Sequence, residues 1–286
     1  MSSQMKPAWK KRYGQHFLRD TGIIRRIVGL IAPGPSDLVV EIGAGAGALS
    51  IHLAPNVLRL IAIEVDRDII PELVQALEPY PNAEVVGKDI LKMDVAELLG
   101  PCLGEGMRLR IVGNLPYNIG TAIIETLILQ AIPAEDMIFM LQLETAERIA
   151  ATPGSKEYGF FSVFCRHHCD VRLGFTVPPA CFVPRPKVYS QMITLRPRRA
   201  ARDPLLEECF LEITKAAFAY RRKKLANSLC QNRRIGPVVD ILLFRAGIDG
   251  ARRAGDLAVE EYESLSIVYR ELALERIQVP ASEPRA

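Results

Sequence analysis

The feature that most constrains this chain is a hydrophobic run that leads directly into a glycine-rich turn. Residues 39–49 read VVEIGAGAGAL, in which a β-branched strand pattern is followed by three glycines and the start of a helical pattern. Glycines allow the backbone to take positive φ angles and to approach a ligand closely. A strand, a glycine turn and a helix in this order are typical of α/β folds that bind nucleotide-type cofactors. One such turn is a weak signal, because many unrelated α/β proteins carry one.

The alternation of strand and helix patterns continues along the chain. Apolar runs at residues 38–42, 59–65, 84–86, 109–112 and 137–143 alternate with helical patterns at residues 47–53, 67–77 and 120–130. This alternation predicts a parallel sheet with helices on both faces. Successive strands are followed by Gly43, Glu64, Asp89 and Asn114. Because parallel strands end at one edge of a sheet, we expect these four residues to meet where open α/β sheets bind ligands.

The pattern changes after residue 175, where the chain becomes proline-rich and extended. Residues 188–195 alternate apolar and polar side chains, which predicts an edge or antiparallel strand. Prolines and charges at residues 196–204 indicate a linker, and only helical periodicity follows residue 205. We therefore predict two domains: an α/β domain at residues 1–197 and a small all-helical domain at residues 198–286.

The distribution of charge favours an RNA partner. The chain has 286 residues, of which 49% are apolar, so it can bury a full core, and its formal net charge is only +3. A charge this small does not by itself indicate nucleic acid, so the position of the basic residues matters. They cluster near the N-terminus and at residues 215–234, which carry seven basic residues and no acid. Aromatic residues beside both clusters favour RNA over the alternative of a solvated helix face.

A second motif, NLPY at residues 114–117, directly follows the apolar run at residues 109–113. The N6 amine of adenine is a poor nucleophile because its lone pair is conjugated into the ring, so a catalyst must position it and favour a pyramidal nitrogen. Asn114 Oδ1 and the Leu115 carbonyl can accept the two N–H bonds, Pro116 fixes the backbone, and Tyr117 can stack on the base. The alternative is an ordinary strand-to-helix turn.

Further motifs follow one another in a characteristic order. They are YGQHFL at residues 13–18, the glycine turn, Glu64, Asp89, NLPYNI at residues 114–119, PGSKEYG at residues 153–159, FVPRPKV at residues 182–188 and RRKKL at residues 221–225. Together they resemble the ribosomal RNA adenine N6,N6-dimethyltransferase family, most closely its bacterial small-subunit branch. Departures are His16 and Ala44, where the family often has Asn and Pro, and Leu143 and Phe160, near which basic residues are common.

The resemblance implies a class I (Rossmann-like) S-adenosylmethionine methyltransferase domain followed by a helical RNA-binding domain. The implied activity transfers methyl groups from S-adenosylmethionine to N6 of two adjacent adenosines near the 3′ end of small-subunit (16S) rRNA. The product is N6,N6-dimethyladenosine, made during ribosome biogenesis. The implied partner is small-subunit rRNA in the immature 30S particle.

The resemblance also implies roles for individual residues. The cofactor contacts correspond to His16, Leu18, Gly43, Glu64, Asp89 and Asn114, with Glu64 expected on the ribose hydroxyls and Asp89 on the adenine amine. The implied catalytic residues are Asn114, Leu115, Pro116, Tyr117 and Phe182. The ring of Phe182 is expected to stack on the target base opposite Tyr117, and a buried core phenylalanine is the alternative. The residues expected to contact RNA are Lys10, Lys11, Arg12, Arg221, Arg222, Lys223 and Lys224.

Neither a metal site nor a membrane segment is expected from the sequence. Cys165, His167, His168 and Cys169 are metal-capable, but no second ligand pair has the spacing of a structural zinc site, and the six cysteines suggest reduced thiols. No secretory signal and no apolar run near the ~20 residues of a membrane span is present, which predicts a cytoplasmic protein.

Two other functions stay open at this point. A large-subunit rRNA adenine methyltransferase has nearly the same catalytic motif, although residues 182–188 and 221–225 resemble the small-subunit branch better. A non-catalytic RNA-binding assembly or transcription factor can share the fold. The presence of Glu64, Asp89 and Asn114 together argues against that second alternative.

Overall fold

The computed structural model describes residues 16–100, 104, 106–198 and 203–278. Its contacts divide the chain into two compact units. The first unit comprises the chain up to Ala146 together with Asp170–Pro197, and the second comprises Glu147–Cys169 together with the chain from Arg198 onward. The first unit is built on a large sheet and the second on helices.

The large sheet contains seven strands, which are β2 (Asp37–Ile42), β3 (Arg59–Ile63), β4 (Ala83–Val86), β5 (Arg108–Asn114), β6 (Asp136–Gln142), β7 (Cys169–Val177) and β9 (Ser190–Pro197). Their spatial order is β4-β3-β2-β5-β6-β9-β7. Strands β2 to β6 pair with one another in parallel, and β9 is antiparallel to β6. The predicted parallel sheet and the predicted antiparallel strand near residues 188–195 are both confirmed.

The helices of this unit are α1 (Thr21–Ile31), α2 (Ser50–Leu53), α3 (Ile70–Leu77), α4 (Val95–Leu99) and α5 (Gly120–Leu129). Helix α6 (Leu143–Ala150) begins in the first unit and ends in the second. Every residue of β2 is buried, as expected for a central strand covered on both faces. Helix α1 begins where the Asp20 carboxylate accepts the Ile23 N–H at 2.9 Å, a standard N-terminal cap.

A buried ion-pair network joins the first residues of three neighbouring strands. Arg110 donates to Asp37 at 2.8 Å and to Asp136 at 2.6 Å, and Arg108 donates to Asp37 at 2.8 Å. Asp37 begins β2 and Asp136 begins β6. The network therefore fixes the register at the amino ends of the strands, opposite the edge where the candidate site residues lie.

A separate two-stranded sheet pairs β1 (Phe17–Leu18) with β8 (Phe182–Val183) in antiparallel register. Leu18 lies opposite Phe182, so segments about 160 residues apart in sequence become neighbours. The sequence did not predict this pairing. It ties the beginning of the described chain to the proline-rich segment before β9.

The second unit is made of α7 (Phe160–His168), α8 (Pro204–Ala219), α9 (Leu225–Leu229), α10 (Val239–Ala246) and α11 (Val259–Gln278). Its core contains Tyr158, Phe210, Ile213, Tyr262 and Leu265, all almost completely buried. The helical character predicted after residue 205 is confirmed. Among the described residues, no helix has the length and apolarity that crossing a bilayer requires.

The domain division predicted from sequence needs one correction. Glu147–Cys169 was assigned to the first domain, but this segment groups with the second unit. The physical reason is its apolar side chains, because Ala151, Tyr158 and Val163 belong to the core of the helical unit. Strand β7, which begins at Cys169, was also not predicted from the sequence.

Candidate functional site

The carboxyl ends of four neighbouring strands bring together the four residues that the strand spacing singled out. Gly43 follows β2, Glu64 follows β3, Asn114 ends β5, and Asp89 lies three residues beyond β4. These strands are adjacent in the order β4-β3-β2-β5. All four residues line a single cavity of about 770 Å³, a size typical of small-molecule sites.

The glycine turn forms one wall of the cavity. Gly43, Gly45 and Gly47 have φ angles of 71°, 56° and 87°, which side chains rarely adopt. The turn is fixed to β3 because the Gly43 N–H donates to the Ile63 carbonyl at 2.9 Å. A Cβ atom on Gly43 would lie 3.5 Å from the Asn114 carbonyl oxygen, so the turn and the end of β5 are in direct contact.

Glu64 links the glycine turn to the end of β3. Its buried carboxylate accepts the Gly45 N–H at 2.8 Å through Oε2, and the N–H groups of Val65 and Asp66 at 2.8 and 2.9 Å through Oε1. These bonds compensate a carboxylate that is only 4% exposed. Glu64 therefore shapes the turn as well as lining the cavity, a role that the sequence analysis did not predict.

Asp89 lies on the same edge with a more exposed carboxylate. Its Oδ1 accepts the Leu91 N–H at 3.1 Å, and Lys92 Nζ lies 3.8 Å from its Oδ2. The first bond caps a short helical turn and fixes the orientation of the side chain. Asp89 thus offers a hydrogen-bond acceptor to the cavity. It follows β4, which is the strand farthest from β5 and Asn114 among the four strands that form this edge.

Asn114 is held by the backbone of His16. Its Nδ2 donates to the His16 carbonyl at 2.9 Å, and His16 Nδ1 lies 2.7 Å from the Pro184 carbonyl oxygen. His16 and Leu18 line the cavity because the pairing of β1 with β8 places them there. With Nδ2 engaged by His16, Oδ1 is the atom of the Asn114 amide that can accept a hydrogen bond from a ligand amine.

The rest of the NLPY segment is fixed at its backbone and at its aromatic ring. The Leu115 N–H donates to the Met140 carbonyl at 3.1 Å, and the Pro116 carbonyl accepts the Gly120 N–H at 2.9 Å at the start of α5. The half-buried Tyr117 ring lines the cavity, with its centroid 5.3 Å from that of His16. Burial raises the pKa of Tyr117, so its phenol is neutral at physiological pH.

Phe182, the ring predicted to stack on the target base opposite Tyr117, is buried in this structure. It is only 2% exposed and belongs to the hydrophobic core of the first unit, and it is not among the residues that line the cavity. The alternative of a buried core phenylalanine describes its place in this structure, and the stacking role of Phe182 stays a prediction. Phe182 lies opposite Leu18 in the pairing of β1 with β8, and both side chains belong to the same hydrophobic core.

Glu41 is a cavity residue that the sequence analysis overlooked. It lies within β2, is 3% exposed and lines the cavity, and Ser50 Oγ donates to its Oε2 at 2.5 Å. Burial raises the pKa of its carboxyl from 4.5 to about 8, and the charge of Glu64 adds to this effect. The signal in the sequence was an acid within the apolar run VVEI.

The basic residues expected to contact RNA can be followed in part. Lys10, Lys11 and Arg12 lie outside the described residues. The C-terminal basic cluster consists of the four exposed residues Arg221, Arg222, Lys223 and Lys224, between α8 and α9. Arg221 already forms hydrogen bonds within the protein, because its guanidinium donates to the carbonyls of Ser155 and Lys156.

Arg253 joins this cluster, although it is distant in sequence. Its backbone forms an antiparallel bridge with Lys224, and its side chain is exposed. No local pattern connects the two residues. Another basic residue of the helical unit, Lys215, has its Nζ 5.6 Å from the centroid of the Phe160 ring.

One group of potential metal ligands occurs in the described part of the chain, formed by His167, His168 and Glu207. His167 Nδ1 lies 2.7 Å from Glu263 Oε1, and its Nε2 lies 3.3 Å from Glu207 Oε1. These distances also suit hydrogen bonds between the His167 ring and the two carboxylates. Cys165 and Cys169 are buried and do not belong to the group.

Comparison with known proteins identifies the family. The model of the family described as "Ribosomal RNA adenine dimethylase" matches residues 7–271. The chain belongs to the ribosomal RNA adenine dimethylase family. This membership confirms the expected class of enzyme, an rRNA adenine dimethyltransferase that depends on S-adenosylmethionine.

Curated relatives and solved structures agree with this family. The chain is 39% identical over 264 residues to "Ribosomal RNA small subunit methyltransferase A" of Bacillus mycoides, covering 91% of this chain and 90% of the relative, and the Bacillus thuringiensis protein gives the same values.

Among solved structures, a Plasmodium falciparum dimethyladenosine transferase has a TM-score of 0.73 at 22% identity, covering 90% of this chain and 98% of that chain. The 23S rRNA methyltransferase ErmE has a TM-score of 0.65 at 25% identity, covering 88% of this chain and 99% of that chain. The predicted α/β methyltransferase fold with a helical C-terminal region is confirmed.

Proposed function

We propose that this ribosomal RNA adenine dimethylase transfers methyl groups from S-adenosylmethionine to N6 of two adjacent adenosines near the 3′ end of small-subunit (16S) rRNA. The substrate is the immature 30S particle, and the location is therefore the cytoplasm, where bacterial ribosomes assemble. The observation that supports the proposal is the direct contact between the glycine turn and Asn114 in one cavity, because methyl transfer requires the donor beside the group that accepts the target amine.

The cavity fits the donor in size and in chemistry. Its volume of about 770 Å³ suits a nucleoside-sized ligand, and the positive φ angles let glycine backbone without side chains form one wall of the cavity. Glu64 and Asp89 present carboxylate acceptors to ribose hydroxyls and an adenine amine. We propose that His16, Leu18 and Gly43 complete this set. When bound, S-adenosylmethionine supplies a methyl group activated by its sulfonium.

The NLPY segment positions the target amine. In the proposed complex Asn114 Oδ1 and the Leu115 carbonyl accept the two N6 hydrogens, which favours a pyramidal nitrogen with an available lone pair. Tyr117 stacks on the base once it has been flipped out of its helix, and stacking on an aromatic ring is worth about 1–3 kcal/mol. No strong base is required, because the proton becomes acidic once the nitrogen is alkylated and can leave to water. Most of the acceleration therefore comes from orientation.

A transfer assay on two ribosomal substrates tests the proposal. The purified protein is incubated with labelled S-adenosylmethionine and either undermethylated 30S particles or undermethylated 50S particles. Modified bases are then mapped by digestion and mass spectrometry. We expect N6,N6-dimethyladenosine at two adjacent positions near the 3′ end of the small-subunit RNA.

The other outcomes separate the alternatives. Label in 50S particles alone would indicate a large-subunit enzyme, the function of ErmE, whose structure resembles this chain. Particle binding without any label transfer would indicate a non-catalytic assembly factor. A single monomethylated position would contradict dimethylation of two adenosines.

A further inference from the structure

The hydroxyl group of Tyr117 is engaged by a buried serine that the proposed chemistry does not use. Tyr117 Oη and Ser190 Oγ lie 2.6 Å apart, a short hydrogen bond in which either atom can be the donor. Ser190 is completely buried, whereas the Tyr117 ring is half-buried and lines the cavity. The far end of the ring is therefore held in the protein interior while the ring itself lines the cavity.

The backbone of Ser190 is fixed by the large sheet. Ser190 begins β9 and lies opposite Gln142 in the antiparallel register with β6. The residue before it, Tyr189, accepts the Leu143 N–H through its carbonyl at 3.0 Å. The serine hydroxyl thus projects from a backbone position that cannot shift without breaking the pairing of two strands.

The backbone of the NLPY segment is fixed to the same strand. The Leu115 N–H donates to the carbonyl of Met140, two residues before Gln142 in β6. One strand therefore anchors the main chain on which Tyr117 lies and the serine that holds its hydroxyl. A tyrosine side chain has two principal torsions, so fixing both its backbone and its hydroxyl determines the plane of the ring.

We propose that Ser190 is a positioning residue, which sets the plane of the Tyr117 ring so that a flipped adenine stacks with its N6 amine at Asn114. The inference rests on the proposed methyl transfer and deepens it. A small rotation of the ring would move the base and its amine relative to Asn114, and rate depends steeply on such placement. Ser190 acts through Tyr117 and does not touch the substrate.

A double-mutant cycle tests this role. Tyr117→Phe keeps the aromatic ring and removes its hydroxyl. Ser190→Ala leaves Tyr117 unchanged and removes the serine hydroxyl to which it is hydrogen-bonded. We expect each variant to lower kcat on undermethylated 30S particles by about three- to tenfold, with the dissociation constant of S-adenosylmethionine unchanged. The double variant should be no slower than the slower single variant, because both remove the same hydrogen bond.

A measurement without RNA separates positioning from activity. In protein labelled with 13C-tyrosine, Ser190→Ala should increase the flip rate of the Tyr117 ring observed by NMR. A matched control is Ser266→Ala, which removes another buried hydroxyl, one whose bond to the Tyr262 carbonyl lies within α11 of the second unit. This control is expected to lower stability without changing kcat or the ring-flip rate.

Three outcomes would overturn the inference. Unchanged kcat in an active Ser190→Ala variant would show that the serine is structural only. Additive losses in the double variant would show that the two residues act independently. Absence of methyl transfer by the unaltered protein would overturn the proposed function together with the role of Ser190. The first two results would overturn only the role of Ser190.

Discussion

At the scale of single residues, Asn114 has two tasks that are divided between the two ends of its amide. Nδ2 holds the His16 carbonyl, and Oδ1 is the acceptor proposed for the target amine. The Nδ2 hydrogen bond stabilises the folded protein, whereas the proposed Oδ1 hydrogen bond forms only with the substrate. A substitution can therefore affect the local structure and the chemistry by different amounts.

Asn114→Ala is expected to lower kcat by about 100-fold or more, because a preorganised acceptor at the reacting nitrogen is lost. Binding of 30S particles should change little, since one hydrogen bond is removed from a large interface. Single-turnover methylation at saturating donor, together with a particle-binding assay, provides the measurement. Near-normal turnover would exclude Asn114 from the proposed role. A matched control is Asn56→Ala, because Asn56 is exposed, does not line the cavity and also donates through Nδ2 to a backbone carbonyl, that of His52.

Glu41 gives the protein a predictable dependence of stability on pH. Its pKa is about 8 in the folded protein and near 4.5 when unfolded, so the folded state binds more protons between these values. Its contribution to stability is complete below about pH 4.5 and is lost as pH rises through about 8. Since a tenfold change in proton affinity corresponds to about 1.4 kcal/mol, the loss amounts to a few kcal/mol.

The comparison with Glu41→Gln isolates this effect. Glutamine has a similar shape, can still accept the Ser50 hydroxyl and does not titrate. We expect the variant to be more stable than the unaltered protein at pH 8.5, and this advantage to shrink progressively toward pH 5. Chemical denaturation at several pH values measures the difference. A difference that is constant with pH would show that Glu41 does not titrate in this range.

At the scale of elements, the turn between α8 and α9 concentrates positive charge that faces solvent. Arg222, Lys223, Lys224 and Arg253 are exposed there, and the last two are joined by a backbone bridge. Arg221 is different, because its guanidinium holds the carbonyls of Ser155 and Lys156. Mutations meant to probe RNA binding are therefore better made at the other four positions.

Neutralising these four residues as Gln is expected to weaken binding to 30S particles by roughly 10-fold, and to reduce its dependence on salt, because fewer condensed counterions are released. The affinity for S-adenosylmethionine should not change. A matched control neutralises Arg59, Arg172, Arg196 and Arg245, basic residues at least partly exposed to solvent and outside the cluster at residues 215–234. Equal affinity and equal salt slope for the two variants would identify the turn as an ordinary solvated surface.

The elements also show what the sequence could and could not predict. The parallel strands and the edge shared by Gly43, Glu64, Asp89 and Asn114 were predictable, because local hydrophobic runs and their spacing determine both. The pairing of β1 with β8 was not, because each strand has two residues and their contact arises from distant segments. The burial of Phe182 depends on this pairing, so it was equally inaccessible to local patterns.

Burial of charge shows the same limit. Glu41 and Glu64 both stand in or after apolar strands, yet only the structure shows that Glu64 is compensated by three backbone N–H groups. Glu41 instead accepts a hydrogen bond from the Ser50 hydroxyl, and burial raises its pKa. The difference depends on the path of the backbone in the glycine turn, which residue patterns do not encode.

At the scale of the whole molecule, recognition of one pair of adenosines requires more than the cavity. The cavity residues can read a base but not its surroundings, whereas rRNA contains many adenosines. Discrimination among them must come from the shape of the RNA around the target. The basic residues of the second unit and of the N-terminal segment are the groups proposed to read that shape.

We therefore expect partly assembled small subunits to be methylated much faster than protein-free RNA of the same sequence. Only the particle presents the surrounding helices in fixed geometry. Fully assembled subunits should also be poor substrates if the target is then covered. Initial rates on the three substrates at matched salt, with modified positions mapped, provide the measurement. Equal rates on naked RNA and on particles would show that local sequence is sufficient.

The segment Glu147–Cys169 has a consequence for the order in which the protein can form. During synthesis this segment leaves the ribosome before Arg198, yet Tyr158 and Val163 find their apolar partners on helices α8 and α11, which are made later. Until then these side chains have no core to enter, and strand β9 of the first unit is also still incomplete. In the nascent chain the apolar side chains of this segment therefore stay exposed until α8 and α11 have been synthesised. In a chain that ended at residue 197 they would have no core to enter.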